Sequence, residues 1–186
     1  MRIIGGIHKG RIIAAPQGMN VRPTTDRVRQ SMFNVLEHGK FSGIGNPIKG
    51  ATVLDAFSGT GALAIEALSR GAATATCMDI DQSSLQQIEK NAASLSETQR
   101  LQVILSDATN PPKAIASASL IFLDPPYGFG QVEVALKALR DASWISKNAI
   151  VVAETGVKED LSIIDGFLIL DRRKYGKTAI TFLQAS

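Results

Sequence analysis

A proline-rich turn in the sequence contains groups that could hold an amine during a reaction. Asp124-Pro125-Pro126-Tyr127 follows the apolar run SLIFL, so we expect it at the end of a buried strand. Two prolines fix φ and remove two N–H donors, which leaves a stiff loop whose carbonyls have set directions. The exocyclic amine of a base has its lone pair delocalised into the ring, and acceptors for its two hydrogens favour a pyramidal, reactive nitrogen. The Asp124 carboxylate and the Pro125 carbonyl could be those acceptors, and Tyr127 could stack on the base. A strand that ends in a plain proline turn is the alternative.

A glycine-rich loop further upstream, DAFSGTGALA, predicts a nucleoside pocket. Gly59 and Gly61 allow a sharp turn and the close approach of a ligand. Asp79 ends the next predicted strand, where a carboxylate can accept hydrogen bonds from both ribose hydroxyls of an adenosine. Asp107, at the end of the third strand, could reach an adenine amino group.

The same loop is compatible with a nicotinamide dinucleotide, because G-x-G-x-x-A followed by an acid is also a dinucleotide fingerprint. A purely structural turn is a further alternative. Asp55 favours a different cofactor, since its carboxylate would repel a pyrophosphate and attract a sulfonium or ammonium group. The loop therefore favours S-adenosylmethionine over NAD.

Alternating strands and helices from residue 50 onwards predict an α/β fold with a parallel sheet covered on both faces. The expected strands are ATVLDAF, ATATCMDI, LQVILSDA, SLIFLDPP and NAIVVAET, and the expected helices are GALAIEALSR, QSSLQQIEKNAASL and QVEVALKALRD. The segment GFLILDRRKYGKTAITFLQ predicts two final strands joined by a tight turn at Tyr175-Gly176, which makes one edge of the sheet antiparallel.

The N-terminal residues precede this pattern and have their own organisation. Residues 1 to 15 predict a short hairpin, and a helix follows Arg22-Pro23, capped by Thr24 or Thr25. A Gly- and Pro-rich stretch then leads to residue 50. We therefore divide the chain into an N-terminal basic extension, 1–49, and a main domain, 50–186.

Positive charge is concentrated at the N-terminus, although the whole chain carries only +3. The first 40 residues hold seven Lys or Arg and two acids, a net +5, whereas the other 146 hold thirteen basic and fifteen acidic residues, a net −2. This asymmetry predicts a polyanion contact, with a merely solvated basic face as the alternative. The run Arg172-Arg173-Lys174 allows the same two interpretations.

Composition excludes several classes of protein. The length of 186 residues predicts one domain, and Cys77 is the only cysteine, so neither an internal disulfide nor a cysteine-based zinc site can form. There is no signal-peptide pattern and no apolar run long enough to span a membrane. We expect a cytoplasmic monomer without a metal and without membrane contact.

Several segments together resemble one family. Asp124-Pro-Pro-Tyr127 resembles the Asp/Asn/Ser-Pro-Pro-Tyr/Phe/Trp motif of amino-group methyltransferases acting on bases and on glutamine, and DAFSGTGALAIEALSRGA resembles their cofactor motif. The segments RIIGGIHKGR, RPTTDRVRQSMFNVL and KYGKTAITF are similar to the bacterial 16S rRNA guanine-N2 methyltransferase family. The resemblance covers nearly the whole chain, and its N-terminal segments are the specific part.

The resemblance implies a Rossmann-like class I methyltransferase fold with a seven-stranded, mostly parallel sheet and a C-terminal antiparallel hairpin. It implies S-adenosylmethionine as cofactor, S-adenosylhomocysteine as product, and N2 of a guanine in 16S rRNA, within a partly assembled 30S subunit, as the methylated group. The implied cofactor residues are Asp55, Phe57, Gly59, Gly61, Asp79, Asp107 and Ala108, and the implied guanine-binding residues are Asp124, Pro125 and Tyr127. The implied RNA contacts are Arg22, Thr24, Arg27 and Arg29 at the entry and Arg2, Lys9 and Arg11 on phosphates. Gln30 departs from the acid expected there in many relatives.

Three other functions are compatible with parts of the sequence. A DNA adenine-N6 or cytosine-N4 methyltransferase uses the same proline loop, but such enzymes usually carry a large target-recognition region for which 186 residues leave no room. A glutamine-modifying protein methyltransferase fits the basic N-terminus poorly. A non-catalytic RNA-binding module would have no need of the intact glycine loop, Asp79 and the proline turn together.

Overall fold

The computed structural model describes residues 1–15, 25–39, 45–126, 130–159, 161 and 164–186. The helices are α1 (Asp26–His38), α2 (Ala62–Ser69), α3 (Gln82–Ser94) and α4 (Gln131–Asp141). The strands are β1 (Thr52–Asp55), β2 (Thr74–Asp79), β3 (Leu101–Leu105), β4 (Ala118–Leu123), β5 (Ile145–Gly156), β6 (Phe167–Tyr175) and β7 (Thr178–Ala185). Each element predicted from residue 50 onwards is present.

The seven strands form one sheet in the order β3-β2-β1-β4-β5-β7-β6. The pairs among β1 to β5 are parallel, and β7 is antiparallel to both β5 and β6. The predicted C-terminal hairpin is therefore confirmed, with its second strand inserted next to β5 and its first strand at the edge. Gly176, with φ of +62°, takes the left-handed conformation that this tight turn requires.

Two apolar layers cover the sheet, because its buried strands present hydrophobic side chains on both faces. One layer is formed by α1, α2 and α3, and its aromatic centre is Phe33 against Phe122, with ring centroids 5.6 Å apart. The other layer is formed by α4, whose Val132, Ala135 and Leu136 are fully buried against the opposite face.

The N-terminal extension shares the first of these layers. Ile3 donates its N–H to the Arg11 carbonyl at 3.0 Å and accepts one from Gly10 at 2.8 Å, which closes the predicted hairpin. Thr25 caps α1 by accepting the Val28 N–H at 3.4 Å. Ile3 and Ile13 of the hairpin lie in the same buried cluster as the side chains of α1 and the sheet.

The predicted cofactor residues and the proline turn converge on one edge of this sheet. The parallel strands β1, β2, β4 and β5 end at the same side, which we call the carboxyl edge, and the opposite side is the amino edge. The helices α2 and α3 begin at the carboxyl edge and run back towards the amino edge. Because Gly156 pairs with Thr178, the β6–β7 turn also lies at the carboxyl edge.

Candidate active site

The glycine loop connects β1 to α2 at the carboxyl edge. Gly59 and Gly61 have φ of +48° and +72°, in the left-handed region, and Gly61 is the N-cap of α2. Within the described chain, an added Cβ at Gly59 would meet nothing within 4 Å, so open space lies above the loop. At Gly61 the added atom would lie 2.8 Å from the Ile88 side chain, which shows that this second glycine is required for packing.

Asp79 supports the loop from the end of β2. Its Oδ2 accepts the Gly59 N–H at 2.7 Å, and its Oδ1 accepts the Asp81 N–H at 2.9 Å. An ionised carboxylate offers about four acceptor positions, so each oxygen keeps a lone pair for a further donor. Asp79 can therefore hold the loop and still accept two hydroxyl hydrogens.

Asp55 lies deeper, at the end of β1, and is 1% exposed. Its Oδ2 accepts the Ala64 N–H at 3.2 Å, in the first turn of α2, whereas Oδ1 is buried with no hydrogen-bond partner among the described residues. Burial raises the pKa of Asp55 to about 7; the Ala64 hydrogen bond opposes this shift, and the charges of Asp124 and Asp79 add to it. The buried Asp55 carboxyl group thus has one acceptor oxygen without a partner, and a nearby cation would stabilise its ionised form.

Two further predicted cofactor residues lie just beyond β3. Asp107 is exposed, and its Oδ1 accepts both the N–H and the hydroxyl of Thr109, at 2.8 and 2.7 Å, which leaves Oδ2 for a ligand. Ala108 is 2% exposed and packs in the α4-side layer, as does the half-buried Phe57.

Ile80 belongs beside these residues, although the sequence analysis did not include it. It follows Asp79 directly and is 75% exposed, which is unusual for a large aliphatic side chain at the end of a buried strand. An apolar surface between Asp79 and Asp107 suits a flat aromatic ring. The sequence signal was the apolar residue directly after the acid that ends β2.

The proline turn begins where β4 ends, on the strand next to β1. Asp124 is half-buried, Pro125 is buried and Pro126 is exposed. The pairing of Asp55 with Phe122 places Asp124 two residues beyond Asp55 on the neighbouring strand, and the two side chains therefore share a face of the sheet. Tyr127, the third predicted residue of this site, lies outside the described residues.

Glu154 is a second residue that the sequence analysis missed. It is 4% exposed and lies on β5, next to Asp124, because Leu123 pairs with Ala153. Asp79 on β2, Asp124 on β4 and Glu154 on β5 thus form an acidic row at the carboxyl edge, with Asp55 beneath it. The available signal was a glutamate inside the otherwise apolar strand NAIVVAET.

The predicted RNA-contact residues divide into three groups. Arg2, Lys9, Arg11 and Arg27 are exposed, as an RNA contact requires. Arg22 and Thr24 lie outside the described residues. Arg29 is 1% exposed, and its Nη2 donates to the Arg2 carbonyl at 2.5 Å and to Asp26 Oδ1 at 2.9 Å. A guanidinium so enclosed does not present its donors to solvent, so the structure gives no support to the predicted RNA contact at Arg29.

Polar contacts dock the N-terminal hairpin, residues 1–15, on α2; we call this segment the basic hairpin. Glu66 is 1% exposed and accepts the Ile4 N–H at 2.8 Å. Ser69 donates its hydroxyl to the Gly5 carbonyl at 2.6 Å and accepts the His8 N–H at 2.9 Å. These partners lie in the second half of α2, on the side of the amino edge.

The hairpin also contacts α3 and the loop that follows it. Asn91 exchanges two hydrogen bonds with the backbone of Ala14, at 3.0 and 2.9 Å. Arg11 donates to the Ser94 carbonyl at 3.1 Å, and His8 lies 2.6 Å from Glu97. Ser94 ends α3, about 18 Å along the helix from its start at the carboxyl edge. The Arg11 side chain is therefore distant from Asp124.

No helix among the described ranges is long and apolar enough to cross a membrane. Within the same ranges, no group of three or more His, Cys, Asp or Glu side chains is arranged to hold a metal ion.

Three features define the class I methyltransferase architecture. They are the sheet order, the glycine loop that hydrogen-bonds to Asp79, and the Asp124 turn that follows β4, the strand next to β1. The solved structure of an Escherichia coli protein, "Putative methyltransferase yhhF", has a TM-score of 0.84 and 34% identity, and the match covers 100% of this chain and 97% of that one. An RNA methyltransferase from Salinibacter ruber, solved with S-adenosyl-L-homocysteine, shares the fold at 16% identity, with a TM-score of 0.63 over 88% of this chain and 93% of that one.

The chain belongs to the family described as Conserved hypothetical protein 95, whose profile matches residues 1–184. It is 36% identical over 175 residues to the Ribosomal RNA small subunit methyltransferase D of Escherichia coli (strain K12), which covers 94% of this chain and 84% of that protein. The predicted fold class and the family resemblance are both confirmed.

Proposed function

We propose that this protein transfers a methyl group from S-adenosylmethionine to the exocyclic N2 of a guanine in small-subunit ribosomal RNA. One observation carries the proposal. The glycine loop and Asp79, which follow β1 and end β2, lie beside the Asp124 turn that follows β4, on a chain that is 36% identical to a ribosomal RNA small subunit methyltransferase over 94% of its length.

The described residues fit the cofactor. The open space above Gly59 suits the approach of a ligand to the backbone, and the remaining lone pairs of Asp79 suit two ribose hydroxyls. The vacant, buried oxygen of Asp55 suits a positively charged methionine moiety. Asp107 Oδ2 and the exposed Ile80 suit an adenine. When bound, the cofactor supplies an electrophilic methyl group on a positively charged sulfur.

The β4 turn then positions the amine. The Asp124 carboxylate and the Pro125 carbonyl accept one hydrogen each, which orients the nitrogen lone pair towards the cofactor side of the edge. As the nitrogen gained its bond to the methyl carbon, the bond from that carbon to the cofactor sulfur would break and leave S-adenosylhomocysteine. One hydrogen of the nitrogen would leave as a proton, and the Asp124 carboxylate is placed to accept it. Pro125 is buried and its ring fixes φ, which restricts the directions that its carbonyl can take.

The substrate class is tested by methyl transfer from labelled S-adenosylmethionine to separate pools. The pools are naked 16S rRNA, partly assembled small subunits, mature small subunits, DNA and a protein extract. We expect label in RNA, and most of it in partly assembled subunits, because a folded RNA can contact the hairpin and the distant site together. Label in DNA alone would favour the amine methyltransferases that act on DNA, and label in protein alone would favour a glutamine methyltransferase.

We further propose that Arg2, Lys9 and Arg11 bind RNA phosphates at a distance from the chemistry. Replacing all three with glutamine is expected to weaken RNA binding about fivefold and to make its salt dependence shallower, because fewer counterions are released. The affinity for S-adenosylmethionine should not change, since the hairpin docks near the amino edge. Filter binding at several salt concentrations and calorimetry measure the two affinities, and unchanged RNA binding at every salt concentration would make the hairpin a solvated face.

A further inference from the structure

Three exposed lysines meet at the carboxyl edge, beside the candidate active site. Lys174 and Lys177 flank the β6–β7 turn, and Lys158 follows the end of β5. Val157 donates its N–H to the Lys177 carbonyl at 2.9 Å, so the β5–β7 ladder continues past Gly156 and brings Lys158 next to the turn. We call these three residues the lysine cluster.

The lysine cluster and its sequence neighbours keep a net positive charge. Across the described ranges, none of the three lysines forms an ion pair, whereas the neighbouring Arg173 is paired with Asp171 at 2.9 Å. Arg172 is also engaged, since it donates to the Glu159 carbonyl at 2.6 Å. Residues 158–160 and 171–177 together carry five basic residues and three acids, a net +2.

The sheet register fixes where the lysine cluster lies relative to the reacting amine. Asp124 is level with Glu154 on β5, and Lys177 is opposite Val157, three residues further along. Two strand spacings across and three residues along correspond to about 10 Å each, or about 14 Å between the Cα atoms of Asp124 and Lys177. A few nucleotides span this distance.

The turn is also anchored, so these positions are preserved. Tyr175 precedes it, and its hydroxyl lies 2.5 Å from Ser31 Oγ on α1. The turn is therefore tied both to the continuous β4–β5–β7 ladder and to the helix that covers it.

The acidic row of the candidate active site does not by itself favour an RNA backbone. Asp79, Asp124 and Glu154 form the acidic row, which suits a cationic cofactor and an amine donor but repels phosphates. A polyanionic substrate must therefore be held by cations around this site. The lysine cluster supplies them at the same edge, whereas Arg11 bonds to the far end of α3.

We infer that the lysine cluster is an RNA-contact surface that binds the phosphates of nucleotides close to the target guanine. The inference rests on the proposed function for its substrate class. Lysine side chains contact phosphates as point charges and carry no base specificity, so the cluster positions the strand and contributes affinity. Base recognition remains with Asp124 and its surroundings.

The experiment compares two triple variants with equal charge change. K158E/K174E/K177E alters the lysine cluster, and K113E/K137E/K147E alters three exposed lysines towards the amino edge. RNA binding is measured from low to high salt by filter binding, cofactor binding by calorimetry, and methylation by label incorporation. We expect the cluster variant to bind RNA about fivefold more weakly with a salt slope shallower by about two, and the control to stay within about twofold of wild type.

Equal weakening in both variants, or none in the cluster variant, would overturn the inference. If the cluster variant loses cofactor affinity or melts early, the same comparison is made with lysine-to-glutamine triples, which remove the positive charges without adding negative ones. The proposed function fails separately: wild-type protein that binds RNA through the cluster but methylates no RNA would contradict the proposed function and leave the surface supported.

Discussion

Asp124→Ala is expected to lower kcat by about 10² to 10³, which corresponds to about 3 to 4 kcal/mol of lost transition-state stabilisation. The reason is that the carboxylate accepts an amine hydrogen that becomes more acidic as the new bond forms. The affinity for S-adenosylmethionine should remain within about threefold of wild type, because the cofactor residues lie on β1, β2 and after β3. Single-turnover methylation of RNA measures the rate, and calorimetry measures the affinity.

Asp124→Asn provides the matched control for this variant. Asparagine keeps an acceptor oxygen at the same place but cannot take a proton, and it occurs at this position in the motif that the turn resembles. Its kcat is therefore expected to fall between those of wild type and Asp124→Ala. An alanine variant that keeps more than about a tenth of the wild-type kcat would show that the carboxylate is not the essential acceptor.

Cofactor affinity is expected to fall about tenfold when the pH is lowered from 8 to 6. Burial raises the pKa of Asp55 to about 7, so the group is mostly ionised at the higher pH and mostly neutral at the lower one. A cationic ligand favours the carboxylate form, so binding releases a proton and weakens as that proton becomes harder to remove. Calorimetry in buffers of different ionisation enthalpy measures both the affinity and the proton released.

Asp55→Asn tests the assignment of this pH dependence. The amide oxygen can still accept the Ala64 N–H, so the loop is retained, but the pH dependence of cofactor binding should disappear.

The stability of the cofactor-free protein against pH is an independent test of the raised pKa of Asp55. Because the folded-state pKa lies above the unfolded value, the buried carboxylate destabilises the wild type above about pH 7, and this destabilisation fades as the pH falls towards 4. The variant should therefore be the more stable protein at pH 8, and wild-type affinity equal at pH 6 and 8 would contradict the account.

The architecture of the sheet could be predicted because the chain alternates apolar runs and amphipathic segments in a regular way. The last two strands were recognisable from the turn at Tyr175-Gly176 and the absence of a helix between them. The position of β7 inside the sheet could not be predicted from this pattern. The structure shows that β7 is buried along most of its length, whereas β6 carries a run of charged residues, as edge strands often do.

The site was predicted where a local motif carries the chemistry, and was missed where the fold brings distant residues together. Asp55 and Asp79 each end a strand and Asp124 directly follows one, and parallel strands place such ends side by side. Glu154 was missed because a single acid inside a strand gives no indication of its neighbour. The burial of Arg29 was also hidden, since a basic residue in a polar helix is normally exposed and here meets the Arg2 carbonyl and Asp26 instead.

The location of the basic hairpin is the largest difference between the charge pattern and the structure. The distribution of charge along the sequence indicated a polyanion contact near the N-terminus. The contacts of the hairpin with Ser69, Asn91 and Glu97 place the hairpin tip near the amino edge, which the sequence does not reveal. The lysine cluster, which contributes little to the sequence-wide asymmetry, is the basic surface beside Asp124.

The central claim is that the protein methylates a guanine amine that the β4 turn holds. Nucleoside analysis of the reacted RNA tests this claim most directly. Small-subunit RNA is incubated with wild-type protein and labelled S-adenosylmethionine, digested completely to nucleosides and separated by chromatography with mass detection. The account predicts that the label is found in N2-methylguanosine, and that Asp124→Ala lowers this peak by about 10² or more at equal reaction time. Label confined to a ring-nitrogen or ribose methyl, or to another base, would contradict it.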